Sequence, residues 1–173
     1  VKAEAEGTGI AKRQAQIGDL LEDYKVIVTK STVPVGTSRA LRQVIAARVR
    51  PGASFDMASN PEFLREGSSI EDFMRPDRVV IGTDTQRAEE LLREIYRPLS
   101  RPDTPMVRTG IETSELIKYA ANAFLAVKIS YINEVARLAE GGGADGFDIP
   151  KALGLDKRIG SEVLPPGLGL GGS

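Results

Sequence analysis

The segment "KVIVTKSTVPVGTSRALRQVIAARV" (25–49) decides the fold class. Its first part, "KVIVTKST" (25–32), is an apolar, β-branched run of the kind carried by a parallel strand buried on both faces. Pro34 and Gly36 interrupt that run, and "TSRALRQVIAARV" (37–49) follows at helical spacing with Thr37 or Ser38 placed to cap it. Working outward, the alternation repeats. An amphipathic helix is expected over residues 8–23, from Ile10, Ile17, Leu20, Leu21 and Tyr24. "FDMASN" (55–60) and "DRVVIGT" (77–83) read as strands, "DTQRAEELLREIYRPL" (84–99) as a helix capped by Asp84 or Thr85, and "PMVRTG" (105–110) as a short strand. Strands alternating with helices of this length predict βαβ units and a parallel sheet. The pattern then changes. "IETSELIKYAANAFLAVKISYINEVARLAEGGG" (111–143) carries one helical periodicity, with Thr113 as a candidate N-cap, Gly141 as a candidate stop, and Ala120, Ala121, Ala123 and Ala126 allowing a second helix to approach closely. A short helix over 148–155 and a Pro/Gly loop over 160–173 complete the chain. The fold class predicted is α/β: the carboxyl-terminal part of a Rossmann-like doubly wound sheet, entered after its first βαβ unit, followed by a long connecting or dimerisation helix. The domains expected are a partial dinucleotide-binding domain over 1–110 and the long helix with its loop over 111–173.

Composition narrows the chemistry. The chain has neither Cys nor His, so thiol nucleophiles, Ser–His pairs and ordinary zinc sites cannot be built from its residues, and no metal site is expected. Proton transfer within it falls to Glu, Asp, Lys, Tyr or water. A net charge of −1 offers no basic surface for nucleic acid, and no apolar run reaches the length of a membrane span. The start lacks a signal-peptide core, so the expected setting is cytoplasmic.

Three stretches could carry chemistry. "SNPEFLREGSSIEDF" (59–73) begins where a predicted strand ends, the place where open α/β sheets bind ligands. It sets Glu62 and Glu66 around an apolar Phe63–Leu64 pair. Two readings are open: a carboxylate acting as general base, or a solvated loop in which a Glu pairs Arg65 or Arg75. "KSTVPVGT" (30–37) presents Ser31 and Thr32 in a stiff turn, able to donate to a ribose or a nicotinamide amide, or simply to cap the next helix. On the long helix, Lys118 and Asn122 lie one turn apart amid apolar neighbours. They can stabilise an oxyanion together, or Lys118 can run its stem along apolar surface with its head in water. "GLGLGG" (167–172) satisfies G-x-G-x-x-G through Gly167, Gly169 and Gly172. It follows "VLPP" rather than a strand, with no helix after it, and is therefore not read as a dinucleotide turn.

Taken together, "VTKSTVPVGT", "SNPEFLREGSSIEDFMRPDRVVIG", "ELIKYAANAFLAVKISYINEVARLAE", "GLDKRIG" and "LPPGLGLGGS" stand in the order and spacing of the UDP-glucose 6-dehydrogenases, which this chain resembles over residues 20–173. The resemblance implies NAD as cofactor and UDP-glucose as substrate. The sugar 6-hydroxyl is oxidised in two hydride transfers through a Cys thiohemiacetal and thioester. It implies Glu62 as acid/base for the hydrolytic water, Lys118 as oxyanion stabiliser, Asn122 as the group orienting substrate and water, and Thr32 against the reacting cofactor. Ser31, Thr32, Val33 and Glu66 would face NAD. Glu62, Phe63, Leu64, Arg65, Glu66, Lys118, Asn122, Pro165, Gly167, Gly169 and Gly171 would hold the sugar nucleotide, with Arg158 reaching a neighbouring subunit. A homo-oligomer through the helix 111–141 is expected.

The family's glycine loop continues into a Cys directly after the position of Ser173. On that basis the chain is expected to be an internal piece that does not turn over alone. Val163 and Leu170 depart from the aromatic residues usual in the family. The alternatives are a naturally short, non-catalytic dimerisation or nucleotide-sugar-binding module, and a piece of a GDP-mannose or UDP-N-acetylmannosamine dehydrogenase.

Overall fold

The computed structural model describes residues 16–65, 67–98 and 104–160. It divides into two compact units, Val1–Lys118 and Tyr119–Ser173.

In the first unit, a helical stretch over 16–20 leads to β1 (Tyr24–Thr29), α1 (Thr37–Ala46), β2 (Ser54–Ser59), the short α2 (Ser69–Met74), β3 (Val79–Thr83), α3 (Gln86–Tyr96) and β4 (Met106–Thr109). The four strands lie side by side in chain order. β1 pairs with β2 and β3 with β4 in parallel, each pair joined by a crossover helix as parallel pairing requires. The central pair corrects the expected all-parallel sheet. β2 and β3 run antiparallel through Ala58–Thr83 and Ser59–Gly82. Residues 60–78 contain only the six-residue α2, which does not carry the chain back along the sheet face to the start of β2. The chain therefore returns at the end where it left.

Side-chain alternation places helices on both faces of the sheet. Val26, Val28, Ala58, Val79 and Ile81 pack with Leu92 and Tyr96 of α3. Ile27, Phe55 and Met57 face the other way, against Leu21, Leu41, Ile45 and Ile111. The helix starts follow local chemistry in one case and not in another. Thr85 caps α3 through a bond from the Ala88 N–H at 3.3 Å. The N-cap of α1 is Gly36 in a left-handed conformation (φ 90°), rather than Thr37 or Ser38, so no side-chain cap bond is made. Thr37 instead donates its hydroxyl to the Pro34 carbonyl at 2.6 Å.

Away from the carboxyl ends of β1 and β2, Asp56 receives the Tyr24 hydroxyl at 2.7 Å and the Thr85 hydroxyl at 2.8 Å. Burial, reinforced by the hydrogen bond to Asp56 and by its charge, pushes the Tyr24 phenol up to about 12. A folded-state value raised above the unfolded one contributes stability that is fully present below about pH 10 and is lost as the pH rises through the folded value. Stability is expected to fall between about pH 10 and 12, with Tyr24→Phe flattening that slope; denaturant midpoints across this range, with phenolate absorbance, check it.

The second unit continues α4 (Ile111–Gly142), whose first turns belong to the first unit, and adds α5 (Asp148–Gly154). The long helix starts before Thr113, which therefore sits inside it rather than capping it, and Gly143 (φ 69°) follows its end. Ile132 and Ala139 are buried, and Lys128 donates to the Ile159 carbonyl at 3.1 Å. Among the described residues no helix is long and apolar enough to cross a membrane.

Candidate active site

The site grows from the end of β2. Asn60 is buried, and both its amide nitrogen and its amide oxygen are hydrogen-bonded. Its nitrogen donates to the Val80 carbonyl at 2.8 Å, while its oxygen accepts Lys30 Nζ at 2.9 Å and the Tyr96 hydroxyl at 2.6 Å. A buried amide that donates from its nitrogen and accepts twice at its oxygen is held in one orientation, so it fixes where the chain leaves the sheet. Pro61 follows and, lacking an N–H, ends the ladder. Glu62 is the next residue, half-buried. Its Oε2 accepts the Leu64 N–H at 2.7 Å, holding residues 61–65 in an irregular turn rather than a helix.

Opposite stands Lys118. Its side chain is only 8% exposed, and Nζ lies 3.4 Å from Glu62 Oε1 and 5.4 Å from the centre of the Phe63 ring. Glu62 therefore faces Lys118 rather than Arg65 or Arg75, and the Lys118 ammonium is buried instead of running out into water. Arg65 goes instead to Asp72, at 2.7 Å from Nη2, and its own N–H reaches the same carboxylate at 2.8 Å. Those contacts hold the Asp72 carboxyl well below the usual carboxylate range and tie Arg65 to α2. The Arg78 guanidinium also lies over the Phe63 ring, 3.9 Å from its centre. A buried cation with one loosely placed counter-charge retains N–H donors for a third party.

Two further contacts seat α4 against the strand ends. Ser114 donates to the Ser59 carbonyl at 3.1 Å, next to Gly82, where there is no room for a side chain. Arg39 of α1 bridges Asp84 and Glu112, with Nε 2.6 Å from Glu112 Oε1, and lowers both carboxyl pKa values. These groups are more than a third exposed, so the bridge orients more than it stabilises.

The remaining expected residues are placed as follows. Ser31 and Thr32 are exposed and Val33 half-buried in the turn after β1, at the same edge of the sheet as Glu62. Leu64 and Arg65 are exposed. Asn122 is half-buried one turn beyond Lys118 on α4, within the second unit. Arg158, also in the second unit, is exposed and bound to Asp156 at 2.6 Å. Glu66, Pro165, Gly167, Gly169 and Gly171 lie outside the described residues. Asn60, Asp72 and Glu115 were not singled out from the sequence. The signal available for Glu115 was its place three residues before Lys118, a second charge on the same largely apolar stretch.

An α/β sheet with helices packed on both faces is a Rossmann-like arrangement, in which the ends of the strands are where ligands bind. The chain belongs to the UDP-glucose/GDP-mannose dehydrogenase family: residues 3–100 match that family's NAD binding domain and residues 112–173 its central domain. It is 53% identical over 160 residues to the UDP-glucose 6-dehydrogenase of Rhizobium meliloti, covering 91% of this chain and 36% of that protein. A UDP-glucose dehydrogenase structure from the hyperthermophilic archaeon Pyrobaculum islandicum matches with a TM-score of 0.87 at 42% identity, covering 95% of this chain and 38% of that one. The ternary complex of GDP-mannose dehydrogenase from Pseudomonas aeruginosa matches with a TM-score of 0.79 at 32% identity, covering 87% of this chain and 35% of that one. The chain spans about a third of the length of these relatives.

Proposed function

We propose that these residues form the nucleotide-binding part, and half of the reacting site, of an NAD-dependent UDP-glucose 6-dehydrogenase. The observation that carries this reading is the buried Lys118 ammonium facing Glu62 at the end of β2, in a chain that matches this family's NAD binding and central domain models. Residues 1–110 hold the cofactor, with Ser31, Thr32, Val33 and Glu66 toward it. Residues 111–173 supply Lys118, Asn122 and the 165–171 loop to the sugar nucleotide. NAD would supply the oxidant: two NAD molecules, bound in turn, would each take up one hydride.

Each oxidation develops negative charge on the sugar's C6 oxygen. Lys118 Nζ meets that charge in a site from which water is largely excluded, where a fixed cation acts most strongly. Glu62 takes the proton from the water that releases the acid, consuming one water per UDP-glucuronate formed. The Leu64 N–H and the Lys118 ammonium keep its two oxygens oriented for that step. The thiol of the covalent stage is not among these residues, which include no Cys; the resemblance assigns it to the position beyond Ser173.

An exposed apolar row on α4, formed by Phe124, Val127, Tyr131 and Leu138, supports homo-oligomerisation through 111–141. These residues recur at helical spacing on one face.

The test is sugar choice. In a polypeptide of the relatives' length containing these residues, NAD reduction with UDP-glucose is expected to exceed that with GDP-mannose or UDP-N-acetylmannosamine by about a hundredfold in kcat/KM. Equal rates, or a preference for either competitor, overturn the assignment.

A further inference from the structure

Glu115 is 2% exposed, and its carboxylate takes its hydrogen bonds from α1 and the turn before it rather than from the Glu62–Lys118 pair. Its carboxylate lies against the start of α1. Oε2 accepts the Gly36 N–H at 2.6 Å, and Oε1 accepts the Ser38 N–H at 2.8 Å. These are the donors that a helix start leaves unpaired, and Gly36 has no side chain to satisfy them. Ser38, fully buried, passes the constraint on by donating its hydroxyl to Thr29 at 3.2 Å, the last residue of β1. Both ends of the 30–36 turn are therefore held: one by the sheet, the other by a carboxylate nearly eighty residues away in the sequence.

The same two turns of α4 hold the other loop. Ser114 anchors the end of β2 and Lys118 faces Glu62. We infer that Glu115 is a positioning residue: through Gly36 and Ser38 it sets the cofactor-facing turn at a fixed distance from the Glu62–Lys118 pair, so that α4 aligns the two halves of the hydride-transfer site. This rests on the dehydrogenase reading above. A bidentate carboxylate suits the task, because two charge-assisted bonds to adjacent backbone donors define a turn's place more narrowly than one.

The test uses the polypeptide of the relatives' length. Glu115→Gln keeps the shape but sets an amide NH2 against a backbone N–H. It is expected to raise KM and Kd for NAD by about ten- to a hundredfold while KM for UDP-glucose stays within about twofold. Faster hydrogen exchange at Gly36 and Ser38 should accompany the change. Glu115→Asp keeps both acceptors and should fall between wild type and Gln in its NAD affinity. If Gln fails to fold, Asp carries the same comparison. Three results overturn the proposal in a wild type that turns over: unchanged NAD constants in a folded variant, equal loss of NAD and sugar affinity, or an Asp variant no better than Gln. A wild type that neither binds nor reduces NAD overturns the underlying functional reading instead.

Discussion

Lys118→Met is expected to lower kcat for NAD reduction by about 10²- to 10³-fold while the chain stays folded. The side chains are of similar length, so the packing against Phe63 survives and only the cation is lost. The stability effect is the smaller one. A buried charge is itself expensive, and the Glu62 carboxylate left behind is 30% exposed and able to take water. If Lys118 only neutralised Glu62, the substitution would shift stability and leave turnover nearly intact. Steady-state kinetics beside a denaturation curve separate the two roles, and a kcat within about fivefold of wild type would remove Lys118 from the reacting site.

The largest stability effect is expected at Gly82. A Cβ there would stand 2.4 Å from Ser114 Cβ and 2.9 Å from the Gly110 carbonyl oxygen. The second of these is backbone and cannot swing aside. β3 is fully buried and paired on both sides at this residue, with Ser59 and with Thr109, so the strand cannot retreat either. Gly82→Ala is expected to cost about 2–3 kcal/mol, by lifting the start of α4 and lengthening the bond from Ser114 to the Ser59 carbonyl. Glu115 and Lys118 ride on that same helix start, so activity should fall with stability. Urea denaturation reads the first effect; an unfolding free energy within about 0.5 kcal/mol of wild type would show that the strand and helix have slack the structure does not display.

Both residues show how far the sequence could be read. The β-branched run at 25–32, the helices expected over 37–49 and 84–99 and the long helix from 111 follow from local periodicity, and the structure has the corresponding elements at Tyr24–Thr29, Thr37–Ala46, Gln86–Tyr96 and Ile111–Gly142. The strand end at "SNPEF" was legible because Pro61 cannot continue a ladder, and Lys118 was conspicuous as a charge among apolar neighbours. Other features depended on partners distant in sequence. Nothing near Gly82 announces that Ser114 will arrive beside it, and nothing near Gly36 says that its cap is Glu115. The antiparallel join of β2 and β3 was missed for a related reason. Alternation of strand and helix predicts crossovers, but α2 is too short to make one, and its length was hidden in a charge-rich stretch with no clear periodicity. Asp72 likewise reads as an ordinary surface acid until Arg65 and Ser68 fold onto it.

The central claim is that this chain forms part of an enzyme that carries UDP-glucose through both oxidations at one site. The measurement that tests it most directly is the ratio of NADH formed to UDP-glucose consumed by the polypeptide of the relatives' length. The account predicts two NADH for each UDP-glucose, with the acid as product. One NADH with an aldehyde released, or no NADH at all, would contradict it.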